Sequence, residues 1–272
     1  MTGTLRATIL GCGSSGGVPR TTGNWGDCDP SEPRNRRTRC GLLLQLWRGA
    51  PGAARDATVV LIDTPPDINA QLAKVAPDHI DAVLYSHDHA DQTHGIDDLR
   101  AFFIENQRRI PVWMDAPTRG HLMPRFRYCF EGVAGYPPIL GPITELHAQE
   151  PVTIDGPGGA LEVLPLAQDH GFSVSLGFRA GPMGYSNDLV AMPEESFAAL
   201  DGLDLWIVDA LREKPHPSHA HLGLALNWIE RLKPRHAVLT NLNFDMDYRR
   251  LSARLPAGVE AAYDGWQADL AV

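Results

Sequence analysis

Between Leu84 and Arg100 the chain reads L-Y-S-H-D-H-A-D-Q-T-H-G-I-D-D-L-R, which sets His87, His89 and Asp91 at alternate positions with Gln92 and His94 close behind. An apolar run, Ala82 to Tyr85, empties straight into this turn. Imidazole nitrogens and a carboxylate gathered so closely suit a divalent transition metal such as zinc, manganese or iron better than any other common cofactor. His-x-His-x-Asp therefore marks a candidate metal site. Further histidines follow at a distance. His170 falls in the turn Gln168-Asp169-His170-Gly171, and His216, His219 and His221 lie in the stretch Pro215 to Leu222 that opens a helix.

The elements that must position these side chains follow from hydrophobic patterning. Leu5 to Leu10, Cys40 to Trp47, Thr58 to Ile62, Pro111 to Asp115, Leu161 to Leu166, Val174 to Phe178, Leu205 to Asp209 and His236 to Thr240 read as strands, and Leu205 to Asp209 is hydrophobic on both faces. Helices are expected from near Pro66, over Gly95 to Phe103 with Asp97 and Asp98 in its first turn, over Pro117 to Tyr128, and up to about Leu232. Gly132 to Gly141 reads as a proline- and glycine-rich loop. Each residue suspected of chemistry, including Asp63, Asp188 and Asn241, then falls just after a strand. Asp63 is open to two readings, an orienting partner for a metal-bound histidine or a plain turn carboxylate.

Two loops could meet an anion. Gly11 to Pro19, with Ser14 and Ser15 at its centre, can present several backbone N–H groups, although it lacks the Gly-Lys-Ser/Thr of a nucleotide P-loop and a wide turn explains it equally well. Thr21 to Arg39 is polar and irregular and ends with Arg34, Arg36, Arg37 and Arg39. Planar guanidinium donors suit phosphate, and Arg34 and Arg37 are the candidates, while a solvated surface is the plainer account of the same run.

Composition narrows the class. With 272 residues and 43 % hydrophobic content the chain can bury a large core, and no repeat or linker divides it, so one domain over residues 1–272 is expected. No apolar run reaches membrane-spanning length and the N-terminus lacks a secretory pattern, which points to a cytoplasmic protein without membrane partners. A net charge of −9, from 33 acidic against 24 basic residues, disfavours bulk nucleic acid as a partner. Cys12, Cys28, Cys40 and Cys129 form no C-x-x-C pair and read as free thiols. A homodimer is compatible with the sequence.

His87-x-His89-x-Asp91, then His170, then Asp188, resembles the metallo-β-lactamase fold superfamily in order and spacing. Within it, Gly11 to Pro19, Arg34 to Cys40, Leu61 to Thr64, Gly95 to Arg100, Asp209 to Arg212 and Tyr263 to Gly265 resemble the group of phosphoribosyl cyclic phosphate phosphodiesterases and, more distantly, tRNA 3′-processing endonucleases. The resemblance implies an α/β fold, an αββα sandwich of two mixed β-sheets flanked by helices. It also implies a first divalent metal, Zn or Mn, on His87, His89 and His170, with Asp188 bridging to a second that would also use Asp91 and the positions of Gln92 and Asn241. Asp91 would orient the attacking water, and His219 would contact the phosphoryl oxygens or protonate the leaving group.

The chain departs from that pattern at the second metal. Gln92 stands where His-x-His-x-Asp-His has its last histidine, and Thr240-Asn241 replaces Thr-His. Both changes remove an imidazole from one site, and an amide is a weaker transition-metal ligand. The expectation is one strong metal and a degenerate second position, with His94 in a non-ligand place. The implied activity is phosphodiester hydrolysis on a small phosphate ester, cyclic phosphate or nucleotide. A catalytically degenerate phosphate-binding relative is the alternative. RNA processing fits less well, because only 18 residues separate His170 from Asp188, too few for a protruding substrate arm.

Overall fold

Alternate residues of the apolar stretches part to opposite sides. Val60 and Ile62 pack between two sheets, while their neighbours Val59 and Leu61 face an outer helical layer. The same division separates Leu205 and Ile207 from Trp206 and Val208, which accounts for a strand that is hydrophobic on both faces. Each fully buried aliphatic or aromatic side chain contributes about 1.5–3 kcal/mol.

The computed structural model describes residues 3–272. Its strands are β1 (Thr4–Gly11), β2 (Gly41–Trp47), β3 (Thr58–Ile62), β4 (Ala82–Leu84), β5 (Ile110–Met114), β6 (Leu140–Glu145), β7 (Val152–Ile154), β8 (Leu161–Asp169), β9 (Val174–Ala180), β10 (Met183–Ser186), β11 (Leu205–Asp209), β12 (His236–Thr240), β13 (Val259–Ala261) and β14 (Gln267–Ala271). They form two seven-stranded sheets, ordered β14-β1-β2-β3-β4-β5-β6 and β13-β12-β11-β10-β9-β8-β7. Both are mixed, since β3 to β6 and β10 to β13 run parallel while the remaining pairs are antiparallel.

Helices cover the outer faces. Ile68, Leu72, Leu122, Cys129 and Phe130, from α1 (Ile68–Val75), α4 (Ala116–Arg125) and α5 (Arg127–Glu131), pack on the first sheet. Between them lie the short α2 (Ala90–Thr93) and α3 (Arg100–Asn106). Phe197, Ala225, Trp228 and Leu251, from α6 (Glu194–Ala199), α7 (Leu222–Leu232) and α8 (Tyr248–Ser252), cover the second. The αββα sandwich implied by the sequence is the observed fold.

Two helices differ from their expected outlines. The one expected over Gly95 to Phe103 starts as a 3-10 turn, Ile96–Leu99, and becomes α-helical only at Arg100. The one expected over Pro117 to Tyr128 is broken at Phe126. Pro124 sits in its last turn, and without an N–H it withdraws one of the closing hydrogen bonds. Among the described residues no helix is long and apolar enough to cross a membrane.

Candidate metal centre

Most residues of the site lie at or just past a strand end, while Asp91 and Gln92 fall in the short α2 and His219 in the loop before α7. Asp63 follows β3, His87 and His89 follow β4, His170 follows β8, Asn187 and Asp188 follow β10, Asp209 closes β11, and Asn241 follows β12. Asp63, Asp188 and Asn241 have positive φ of 64°, 53° and 60°. Asp and Asn enter this left-handed region more readily than most residues, and the sharp turn swings their side chains off the strand direction.

His87, His89 and His170 bring one ring nitrogen each within 4.8 Å of one another. Their neighbours set the tautomers. His170 Nδ1–H donates to the Ser218 carbonyl at 2.7 Å, leaving Nε2 bare. Ser86 Oγ–H donates to Asp63 Oδ2 at 2.8 Å, so the hydroxyl accepts from His87 Nδ1 at 2.9 Å. His87 Nε2 is left buried with no partner. Burial, with repulsion from the neighbouring histidines, drives the His87 pKa well below its ordinary range. Burial likewise lowers His170 to about 4, against the opposing hydrogen bond that it donates to the Ser218 carbonyl. Neutral imidazoles with bare, converging nitrogens, one of them orphaned, fit a divalent transition ion. Asp63, left open between two roles by the sequence, orients His87 through Ser86, and burial raises its pKa to about 7.

A second cluster, His170, Asp188 and His219, adjoins the first. His219 Nδ1 lies 3.0 Å from Asp209 Oδ2 and 3.3 Å from Asp188 Oδ1. Burial opposes its charge, but the Asp209 hydrogen bond and the surrounding carboxylates overcome this and raise its pKa to about 9. Gln92 Nε2 donates to Asp188 Oδ2 at 2.9 Å and lies 3.4 Å from Asp91 Oδ2, and Asn241 Nδ2 donates to Asp188 Oδ1 at 3.0 Å. Asp91 stands beyond Gln92 and joins neither three-residue cluster. His94 is exposed, with its ring edge-on to Phe126 at 5.5 Å, and joins neither cluster. Sequence reasoning assigned no role to Asn187, which donates to Asp188 Oδ2 at 2.8 Å, or to Asp209. Their places directly after or at the end of strands were the available signal.

The arginines need correcting. Arg37, read as a phosphate ligand, is fully buried, and its guanidinium bonds the carbonyls of Met246 at 2.7 Å and Asn243 at 3.3 Å. It fastens the loop inward and presents nothing to a substrate. Arg34 is spent on Glu32, with Nε at 2.7 Å from Oε1, and stacks over the Tyr248 ring at 4.1 Å. The arginine tied to the strand end carrying Asn241 is Arg20, which donates to Asn243 Oδ1 at 2.6 Å. Ser14 Oγ meets the same oxygen at 3.2 Å, whereas Ser15 is exposed. The glycine loop does reach this edge, because Gly13 pairs with Leu242, the residue after Asn241.

Glu32 supports a prediction on stability. Hydrogen bonds from Arg34, reinforced by Arg249, lower its pKa to about 2. A depressed folded-state pKa gives stabilisation that is present above the ordinary glutamate range and lost as pH falls toward 2. Glu32→Gln is therefore expected to lower the urea midpoint at pH 7, with the gap from the parent narrowing between pH 4 and pH 2 by circular dichroism.

Residues 58–240 match the model of the Beta-lactamase superfamily domain. The chain belongs to that superfamily, whose members are metal-dependent hydrolases. The crystal structure of a diphosphatase from the PhnP family is 31 % identical and superimposes with a TM-score of 0.86, covering 100 % of this chain and 99 % of that one. Zn2+-bound PqqB from Methylobacterium extorquens is 16 % identical at a TM-score of 0.72, over 97 % of this chain and 100 % of that one. The short form of human tRNase Z is 14 % identical at 0.64, over 97 % and 98 %. Both share the fold. An octanoyltransferase of Porphyromonas gingivalis is 29 % identical over 268 residues, covering 97 % of this chain, which spans about half the length (51 %) of that curated protein.

Proposed function

We propose that this protein is a divalent-metal-dependent hydrolase of phosphoric ester or diphosphate bonds in a small molecule such as a nucleotide or cyclic phosphate. The observation that carries the reading is the convergence of three imidazoles, one with an orphaned buried nitrogen, beside a fourth histidine gripped by a carboxylate. When bound, a Zn or Mn ion on His87, His89 and His170 supplies Lewis-acid activation of water at neutral pH. The chain's own residues do the rest. Asp209 fixes His219 through Nδ1, so that Nε2 is the atom free to meet a phosphoryl or leaving-group oxygen. Asp188, Asn241 and Gln92 hold one another in place beside it. The glycine loop around Ser14 and Ser15 supplies a polar wall. Likeness to a diphosphatase supports phosphorus chemistry over β-lactam hydrolysis.

A second reading, a phosphate-binding relative without turnover, is favoured by Gln92 and Asn241 at the degenerate metal position. RNA processing has less support. The interval between His170 and Asp188 is consumed by β9 and β10, and no arm projects there. Acyl transfer by a thiol also lacks a nucleophile. Cys12 and Cys40 are buried, and burial raises both thiols well above their ordinary pKa.

The test is turnover of bis(p-nitrophenyl) phosphate and of a nucleoside diphosphate by metal-verified protein. Activity should vanish on chelation and return with Zn or Mn. At an ion concentration near 100 Kd, binding adds about 2.7 kcal/mol, so chelation should lower Tm by about 5–10 °C. No turnover of any phosphoester by ion-loaded protein would favour the binding reading.

A further inference from the structure

We infer that the second metal position of the fold is closed in this chain by a cage of three amides around Asp188, so that the centre takes a single ion. The inference rests on the reading that His87, His89 and His170 hold a metal. A carboxylate offers about four lone-pair positions. Here Gln92 Nε2 and Asn187 Nδ2 donate to Oδ2 at 2.9 and 2.8 Å, and Asn241 Nδ2 donates to Oδ1 at 3.0 Å. His219 Nδ1 stands 3.3 Å from Oδ1. Three of the four positions are thus taken by amide N–H groups, and the His219 ring stands against the fourth, leaving a second ion no open approach to Asp188 from this side.

The orientation of the amides follows from what surrounds them. Gln92 Nε2 lies between Asp188 Oδ2 and Asp91 Oδ2. Turning the amide over would press its carbonyl oxygen against two carboxylates, which is repulsive. Asn241 is held the same way, with its Nδ2 donating to Asp188 Oδ1 and also meeting the Asp209 carboxylate. All four residues are buried, so the cage is not rearranged by solvent. Asn187 makes it a closed set. Without this residue the two family substitutions would leave half of Oδ2 open.

The carbonyl oxygens Gln92 Oε1 and Asn187 Oδ1 have no protein partner. They are poor ligands for zinc but acceptable to a harder ion, so the experiment must include Mn and Mg. Chelator-stripped native protein is titrated separately with Zn, Mn and Mg, and bound metal is counted by elemental analysis after gel filtration. One ion per chain is expected, and the Mn form should show the electron paramagnetic resonance spectrum of an isolated ion. The double variant Gln92→His/Asn241→His should bind two, with the altered spectrum of a coupled Mn pair. Histidine tolerates the positive φ at Asn241 better than most residues.

Two ions on the native chain, with any of the three metals, overturn the cage. A folded double variant that still binds one also overturns it, and if that variant fails to fold, the native count and spectrum decide alone. No ion on the native chain removes both this inference and the metal reading beneath it. A chain that holds one ion but hydrolyses nothing removes only the hydrolase reading.

Discussion

Replacing His87 by Ala is expected to strip the ion and to lower turnover of bis(p-nitrophenyl) phosphate by at least about 10³-fold, the equivalent of several kcal/mol of lost charge stabilisation. His87 Nε2 has no hydrogen-bond partner among the described residues and faces Asp188 Oδ2 only at 3.9 Å, so the nitrogen is free for a ligand. Its Nδ1 is held by Ser86, and Ser86 by Asp63, which fixes the ring before any ligand arrives. Deleting it leaves two imidazoles, too few to hold a transition ion firmly in competition with water. His170→Ala should behave alike. His94→Ala serves as the control: the ring lies exposed against Phe126, and the variant should keep its ion. Undiminished turnover by His87→Ala in a preparation of verified metal content would sink the assignment.

How much of this was legible beforehand varies from residue to residue, for physical reasons. The convergence of His87, His89 and His170 could be read because each sits near a strand end, where chain direction alone decides which edge a side chain joins. Gln92 and Asn241 could be read as departures, yet the sequence does not say that their amides would turn N–H groups onto Asp188. That outcome depends on three strands, β4, β10 and β12, meeting at one edge. Asn187 was missed for the same reason. Arg37 misled because an arginine-rich run carries no marker of which side chain points inward. The carbonyls of Asn243 and Met246 that bury it lie about 200 residues away in the chain. The helix over Gly95 to Phe103 started late because Gly95 has to pass close to Pro65, where even a Cβ would lie 2.1 Å from the Pro65 carbonyl oxygen, and the chain leaves that contact through a tighter turn.

His219→Asn is expected to separate substrates by their leaving groups. Positioned general acids contribute about 10²–10⁴-fold, and only where the departing oxygen needs a proton. With an alkyl or sugar leaving group the variant should lose turnover within that range. With p-nitrophenolate, a stable anion, it should lose far less. Asp209 is the positioning residue behind this behaviour, since its Oδ2 holds His219 Nδ1 at 3.0 Å from a fully buried place at the end of β11. Asp209→Asn should therefore reproduce the leaving-group pattern in weaker form with KM little changed. Metal content distinguishes the competing role. His219 shares a cluster with His170 and Asp188, and if it served as a ligand, His219→Asn would lose the ion and fail equally on both substrate classes. Retention of the ion with a loss confined to poor leaving groups assigns His219 to proton delivery, which is the role left to it once Gln92, Asn187 and Asn241 have taken up Asp188.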